Sequence, residues 1–211
     1  MFSQHQSIIL NKVFSETPFQ GAEPESAKFL FIGLDANYAP DIEDSPVFPK
    51  LREYLRDGAA FWQRYGVHHP FLLSEYRGDG LFYHHSFAKI GFRSEHAANV
   101  SFIELLHVPT IGRSSLSVED LSVSHLRRIN NAILYGQPRY IFIPDSVARL
   151  MKISGEFPWL PRSPSVDGTP LKVWYRTVNK RVYWHYHFSV YGKFNEAKMN
   201  QLKAIGSLIG L

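Results

Sequence analysis

The amino-acid sequence predicts a three-layer α/β/α domain, in which a central, mainly parallel sheet lies between two layers of helices. Two observations lead to this prediction. Short apolar segments rich in Val, Ile and Phe alternate with longer segments of helical periodicity, which is the pattern of parallel sheets covered on both faces. The chain has 211 residues, of which 45% are hydrophobic, a size that suits one sizeable core. We therefore predict a single domain over residues 1–211.

The first half of the chain predicts two strands separated by helices. The apolar run KFLFIG, residues 28–33, predicts the first strand. Residues 50–66, KLREYLRDGAAFWQRYG, predict two short helices interrupted at Gly58. A further helix is predicted within residues 81–92, and residues 99–106, NVSFIELL, predict the second buried strand.

The second half predicts three more strands. Ser117 predicts the start of a helix because Asp120 occupies the position of a capping-box acid. The run RYIFIP, residues 139–144, predicts the third strand, and a short helix follows it. Residues 171–177 and 181–189 predict two strands joined by a turn, and the C-terminal segment predicts a last helix.

Composition excludes several classes of site. The chain contains no cysteine, which excludes disulfides, thiolate metal sites and cysteine nucleophiles. No signal peptide and no apolar run of about 20 residues is visible, so we expect a soluble, cytoplasmic protein that does not enter a membrane. The net charge of +4 permits an anionic partner without requiring one.

Polar residues follow three of the predicted strands. They begin at Asp35, Glu104 and His187. Because the carboxyl ends of parallel strands meet at one edge of a sheet, where ligands bind, we expect these three side chains to border one cleft.

Four short motifs resemble those of the uracil-DNA glycosylase superfamily. GLDANY, residues 33–38, resembles the family's G-Q-D-P-Y or G-I-N-P-G, and HFSVYG, residues 187–192, is similar to its H-P-S-P region. NVSFIE, residues 99–104, is similar to G-V-L-L-L-N. LLHVPT, residues 105–110, is similar to the L-V-x-R-P-T of the mismatch-specific branch, which also has a Phe-Trp pair where residues 61–62 lie here. The motifs occur in the family's order.

The resemblance implies an enzyme that hydrolyses the N-glycosidic bond of a flipped, deaminated or damaged base, such as uracil, in base excision repair. It implies that Asp35 activates water and that His187 donates a hydrogen bond to the departing base. It implies further contacts to the substrate from Gly33, Leu34, Ala36, Asn37, Tyr38, Phe48, Glu104 and Ser189. Among these, Phe48 would stack on the base and Glu104 would read its edge.

The expected partner is DNA, duplex or single-stranded, with a modified base. The candidate DNA-binding residues are Arg113, Tyr191 and Lys193, and Tyr191 is placed to act as a wedge in the duplex. We expect a monomer with no metal and no cofactor.

Three residues depart from the motifs and keep other functions open. Ala36 and Phe188 replace prolines, and Glu104 replaces the base-reading Asn, although an ionised Glu only accepts hydrogen bonds. One alternative is a catalytically silent nucleic-acid- or nucleotide-binding module. Another is a metal-dependent hydrolase that uses His185 and His187, whose i, i+2 spacing would place both on one face of a strand. Further potential ligands are His68, His69, His84 and His85.

Overall fold

The computed structural model describes residues 2–112, 115–166 and 171–210. Its strands are β1 Phe19–Gly21, β2 Phe29–Gly33, β3 Asn37–Tyr38, β4 Val100–Glu104, β5 Thr110–Ile111, β6 Tyr140–Pro144, β7 Lys172–Arg176 and β8 Arg181–His185. Its α-helices are α1 Ile8–Glu16, α2 Phe48–Arg56, α3 Gly58–Tyr65, α4 Leu81–Ala88, α5 Val123–Leu134, α6 Asp145–Ser154 and α7 Asn195–Gly206. Within these described ranges, none of the helices has the length and apolar character needed to cross a membrane.

The main sheet has six strands in the order β1-β4-β2-β6-β8-β7. The four central strands β4, β2, β6 and β8 run parallel, and the two edge strands β1 and β7 are antiparallel to their neighbours. Strands β3 and β5 form a separate parallel pair beside the sheet. The prediction of an α/β protein with a mainly parallel sheet is confirmed.

The two faces of the sheet differ in their side chains because residues of a strand alternate between faces. One face carries branched aliphatic residues and packs against α5 and α6, whereas the other carries phenylalanines and packs against α3, α4 and α7. On the second face, the rings of Phe31 and Phe142 stack with centroids 4.6 Å apart. Helices therefore cover both faces, and buried rings form the core beneath the second helical layer.

A third cluster of buried residues lies beside the sheet and includes helix α1, which the sequence did not predict. Ser7 caps α1 by accepting a hydrogen bond from the Leu10 backbone N–H at 3.0 Å. Leu10 and Phe14 are buried against Tyr38 and residues of α2 and α3. This short helix is held by tertiary packing rather than by a long apolar stripe, as expected for a helix of nine residues.

The helix predicted to start at Ser117 begins later. The capping box of Ser117 and Asp120 is present, but it closes a single 3₁₀ turn over Val118–Asp120. The chain is extended at Leu121, which is buried, and α5 starts at Val123 after a second cap from Ser122. The extended, buried Leu121 lies between the cap at Ser117 and the cap at Ser122. The capping box at Ser117 therefore did not mark the start of the helix.

Candidate functional site

A cavity of about 560 Å³ lies at the carboxyl ends of the parallel strands. It is lined by Asp35 after β2, Glu104 at the end of β4, Ser146 after β6 and His187 after β8. The chain passes from β2 to β4 on one side and from β6 to β8 on the other, so strand order reverses between the neighbouring strands β2 and β6. Such a reversal is where open α/β sheets bind ligands, and the volume is typical of a small-molecule site. The expected convergence of Asp35, Glu104 and His187 is present, whereas their chemical roles stay predictions.

The carboxylate of Asp35 is oriented by Thr110. The Thr110 hydroxyl donates to Asp35 Oδ2 at 2.6 Å, and the Thr110 backbone N–H donates to the Ala36 carbonyl at 2.9 Å. Thr110 is fully buried, so its hydroxyl cannot rotate into solvent. Oδ1 of Asp35 has no partner among the described residues and remains able to bind a ligand or a water.

The loop that carries Asp35 is also held from outside the cavity. The side-chain amide of Asn37 is exposed and donates to the Thr110 hydroxyl at 3.2 Å and to the Gly112 carbonyl. The N-terminal segment pairs with the same region, since the His5 N–H donates to the Pro109 carbonyl at 2.9 Å. Asn37 therefore borders the cavity, but its side-chain N–H groups bind Thr110 and Gly112 and stabilise the loop. The sequence did not predict this structural role.

His187 presents a proton donor without carrying a charge. The backbone N–H of Ser189 donates to Nδ1 of His187 at 3.3 Å, so the neutral ring carries its proton on Nε2. Burial lowers the pKa of His187 and outweighs the negative charge of Asp35, which acts to raise it. The ring is thus neutral at physiological pH, with Nε2–H available as a donor.

Lys198 of α7 fixes the loop that carries His187. Its side chain is buried, and its ammonium donates to the Phe188 carbonyl at 3.2 Å, to the Val190 carbonyl at 2.7 Å and to the Ser86 hydroxyl at 3.1 Å. A buried ammonium that satisfies two loop carbonyls holds the loop in one conformation. Lys198 is therefore a positioning residue for His187.

We expect Lys198→Met to lower the free energy of unfolding by about 2–4 kcal/mol, because two loop carbonyls and a buried hydroxyl lose their donor. The pKa of His187 should rise, because the positive charge of Lys198 contributes to lowering it. Denaturant unfolding and an NMR titration of the His187 ring measure the two effects. Lys193→Met is the control, since Lys193 is exposed. Unchanged stability and an unchanged His187 titration would contradict the positioning role.

Glu104 lies directly over Gly33 of the neighbouring strand. The two residues are opposite each other in the β2–β4 pairing, and a Cβ built at Gly33 would overlap Glu104 Oε2. Glycine at position 33 thus makes room for the carboxyl group. Burial, with a contribution from the charge of Asp35, raises the pKa of Glu104 to about 8. At neutral pH the group is mainly protonated, so, like an amide, it offers both a donor and an acceptor.

Paired histidines form a wall of the cavity. His69 and His84 stack with ring centroids 3.7 Å apart, and Nε2 of His68 lies 3.3 Å from Nδ1 of His84. Burial lowers the pKa of all three, that of His84 to about 3. The rings are therefore neutral. The pairs at 68–69 and 84–85 were visible in the sequence, but nothing there showed that three of these rings would meet at one site.

The aromatic residues at the site differ from those predicted. Phe48 is wrong as a stacking residue, because it starts α2 and is buried in the third core cluster rather than in the cavity wall. Phe48 and Leu51 are both buried residues of α2 and belong to this same cluster. Phe71 and Phe102 line the cavity instead. Tyr38 also lines it, although it is 5% exposed and packs against α1.

The remaining predicted site residues lie at the rim or beyond it. The cavity wall includes Gly33, Leu34, Ala36 and Ser189. Tyr191 is 78% exposed two residues after Ser189 and outside the wall, and exposed Lys193 lies with its ammonium over the Phe194 ring. Arg113 lies outside the described residues. The roles of Tyr191 and Lys193 in DNA binding stay predictions.

His185 and His187 differ in their surroundings. Strand β8 ends at His185, whose buried ring contacts Phe142 and Phe188 and whose Nδ1–H donates to the Tyr186 carbonyl at 2.7 Å. His187 follows the strand and lines the cavity. Of these two rings, only that of His187 lines the cavity, and a metal-dependent hydrolase that uses the pair stays a prediction. In the described part of the chain, no three His, Asp or Glu residues are grouped to hold a metal ion.

No protein-family model matches this chain, and no curated protein matches it.

Proposed function

We propose that the protein is a DNA glycosylase of the uracil-DNA glycosylase type, which hydrolyses the N-glycosidic bond of a flipped, deaminated or damaged base. One observation carries the proposal: a single cavity contains both an oriented carboxylate, Asp35, and an uncharged imidazole donor, His187. These groups meet the two charges that develop when the bond breaks, a positive one on the sugar and a negative one on the base.

Asp35 acts on the sugar side of the reaction. As the bond between the base nitrogen and the sugar carbon breaks, a water oxygen bonds to that carbon and its proton passes to Asp35. The carboxylate also stabilises the cationic sugar electrostatically. Thr110 holds Oδ2, so Oδ1 is the oxygen that orients the water. General-base action of this kind contributes about 10²–10⁴ in rate.

His187 acts on the base side. The electron pair of the broken bond leaves with the base, and Nε2–H of His187 donates a hydrogen bond to the carbonyl oxygen on which the negative charge collects. One such preorganised donor contributes about 3–4 kcal/mol to stabilisation of a transition state. The Ser189 N–H and the Lys198 ammonium fix the ring and its loop, so little reorganisation is needed during the reaction.

Duplex and single-stranded oligonucleotides that carry uracil, hypoxanthine, xanthine or a thymine mismatch test the proposal. The expected result is alkali-labile product from at least one of these substrates, formed by the intact chain. Retention of such DNA without any product would instead support the catalytically silent binding module, because the scaffold would then hold a base without breaking its bond.

We expect Tyr191→Ala to lower base excision on duplex DNA far more than on single-stranded DNA. Tyr191 is 78% exposed beside the cavity rim, where its ring can fill the space that a flipped base leaves. Stacking of a base on an aromatic ring contributes about 1–3 kcal/mol, which is comparable with the cost of unstacking the base. Single-stranded DNA has no stack to open, so single-turnover rates on the two substrates isolate this role.

Tyr135→Ala is the matched control for this experiment. Tyr135 is 81% exposed, but it ends α5, which leads into the amino end of β6 and so lies at the opposite edge of the sheet from the cavity. Its substitution should affect neither substrate. Equal losses on duplex and single strand for Tyr191→Ala would contradict the wedge and leave the roles of Asp35 and His187 untouched.

A further inference from the structure

One buried polar group in the cavity wall has no partner. The side-chain amide nitrogen of Gln20 is inaccessible to solvent and makes no hydrogen bond within the described residues. Gln20 is 7% exposed and lines the cavity. Leaving such a donor unsatisfied costs about 1–3 kcal/mol, so a ligand in the cavity that supplied the acceptor would gain this free energy on binding.

The sheet places Gln20 next to Glu104. Gln20 belongs to edge strand β1, where it is directly opposite Phe102 of β4. Phe102 and Glu104 are two residues apart on β4, so all three side chains project from the same face of the sheet. The cavity thus has an aromatic floor, Phe102, between an amide and a carboxyl group.

We propose that Gln20 is a specificity-determining residue, which reads a base together with Glu104 and selects bases with a lactam edge, a ring carbonyl beside a ring N–H, over cytosine and adenine, which lack that edge. The inference rests on the proposed function in taking a flipped base as the ligand. It adds a recognition residue from a strand that carries none of the motifs.

Donors and acceptors at this wall match a keto base. The Gln20 amide nitrogen only donates, so it requires a carbonyl oxygen or an unprotonated ring nitrogen. Glu104, protonated at neutral pH, donates its O–H to a second acceptor and accepts from a ring N–H. A lactam edge offers this alternation of carbonyl and N–H groups. An exocyclic amino group facing Gln20 would instead place two donors together.

The neutral histidines on the other wall support an uncharged ligand. His68, His69 and His84 carry no charge at neutral pH, so this wall supplies no counter-ion for an anionic or cationic ring. The ring is held by shape and hydrogen bonds. A missing partner is then costly, and discrimination between keto and amino bases follows.

Binding of free bases to the full chain tests the inference without requiring any bond cleavage. Calorimetric titrations compare uracil and hypoxanthine with cytosine and adenine. The intact protein should bind the keto bases more tightly. Gln20→Met should weaken keto-base binding about tenfold, the loss of one hydrogen bond, while leaving the amino bases unchanged. The variant should be no less stable than the parent, because it removes an unpaired buried amide.

Two further variants make the result specific. Gln20→Asn keeps the amide but withdraws it by one methylene, so it should also weaken keto-base binding if the position of the donor matters. Gln63→Met, at an exposed position on α3, should change nothing. Absence of keto-base binding, or equal losses for keto and amino bases in Gln20→Met, would overturn the inference.

The outcome is separable from that of the proposed function. Selective binding of free keto bases without excision from DNA would sustain the role of Gln20 and refute the glycosylase. If the parent and Gln20→Met excised bases from DNA with the same base preference, the glycosylase would be supported and the role of Gln20 refuted.

Discussion

Asp35→Asn is expected to lower the rate of base excision by about 10²–10⁴ on duplex and on single-stranded DNA alike. The substitution keeps the shape of the side chain, and an amide oxygen still accepts the Thr110 hydroxyl that Asp35 Oδ2 accepts at 2.6 Å. It removes the negative charge that stabilises the sugar cation and the base that takes the proton from water. Single-turnover rates on a substrate that the parent protein cleaves measure the effect.

Two comparisons show whether the loss comes from the chemistry. Asp41→Asn alters an exposed carboxylate six residues further on and should retain the parental rate. Thr110→Val removes the hydroxyl that orients Asp35, and we expect a smaller loss of about tenfold, since the carboxylate is still present. An Asp35→Asn protein as active as its parent would refute both the role of Asp35 and the proposed mechanism.

Glu104→Gln is expected to stabilise the folded protein, increasingly so between pH 4.5 and pH 8. Burial raises the pKa of Glu104 from 4.5 to about 8, so the folded protein retains a proton that the unfolded chain releases. The parent therefore loses stability as pH rises through this window, and the loss is complete above pH 8. A glutamine has the same shape and no charge to bury. After allowance for solvent in the cavity, the advantage of the variant should reach roughly 2–4 kcal/mol.

The titratable neighbours of Glu104 contribute little to the change in stability between pH 4.5 and pH 8. Asp35 contributes to the raised pKa by its charge. Burial, and secondarily the charge of Glu104, raises the pKa of Tyr38 and of Tyr83, and burial also raises that of Tyr54, so these phenols titrate above the window. Burial lowers the pKa of the three wall histidines, which stay neutral across most of it.

Urea unfolding of parent and variant at several pH values measures the effect. Glu43→Gln, at an exposed position, is the control and should show no such pH dependence. A difference between Glu104→Gln and the parent that is constant with pH would show that Glu104 is ionised throughout and that it reads a base only as an acceptor. Stabilisation by removal of a charge would fit a residue kept for function rather than for folding.

The amino-acid sequence was sufficient to predict the central strands of the sheet and the location of the candidate site. The runs FLFI, residues 29–32, and IFI, residues 141–143, are apolar on both faces, which is the property of a strand covered on both sides. Polar residues directly follow such strands at Asp35 and near His187. Because parallel strands end at one edge of the sheet, this pattern was enough to predict that Asp35, Glu104 and His187 line one cavity.

Only the tertiary structure shows which other residues reach the cavity and which of its titratable groups are protonated. Gln20 enters through pairing of a three-residue edge strand with β4, and Lys198 reaches the His187 loop from the C-terminal helix. No local sequence pattern predicts that Gln20 and Lys198 reach the site, because the fold brings each of them there from a distant part of the chain. Phe48 was misplaced because helical periodicity gives a buried face without showing what covers it. The protonation state of Glu104 depends on its burial. Burial results from the tertiary fold and cannot be read from the sequence around Glu104.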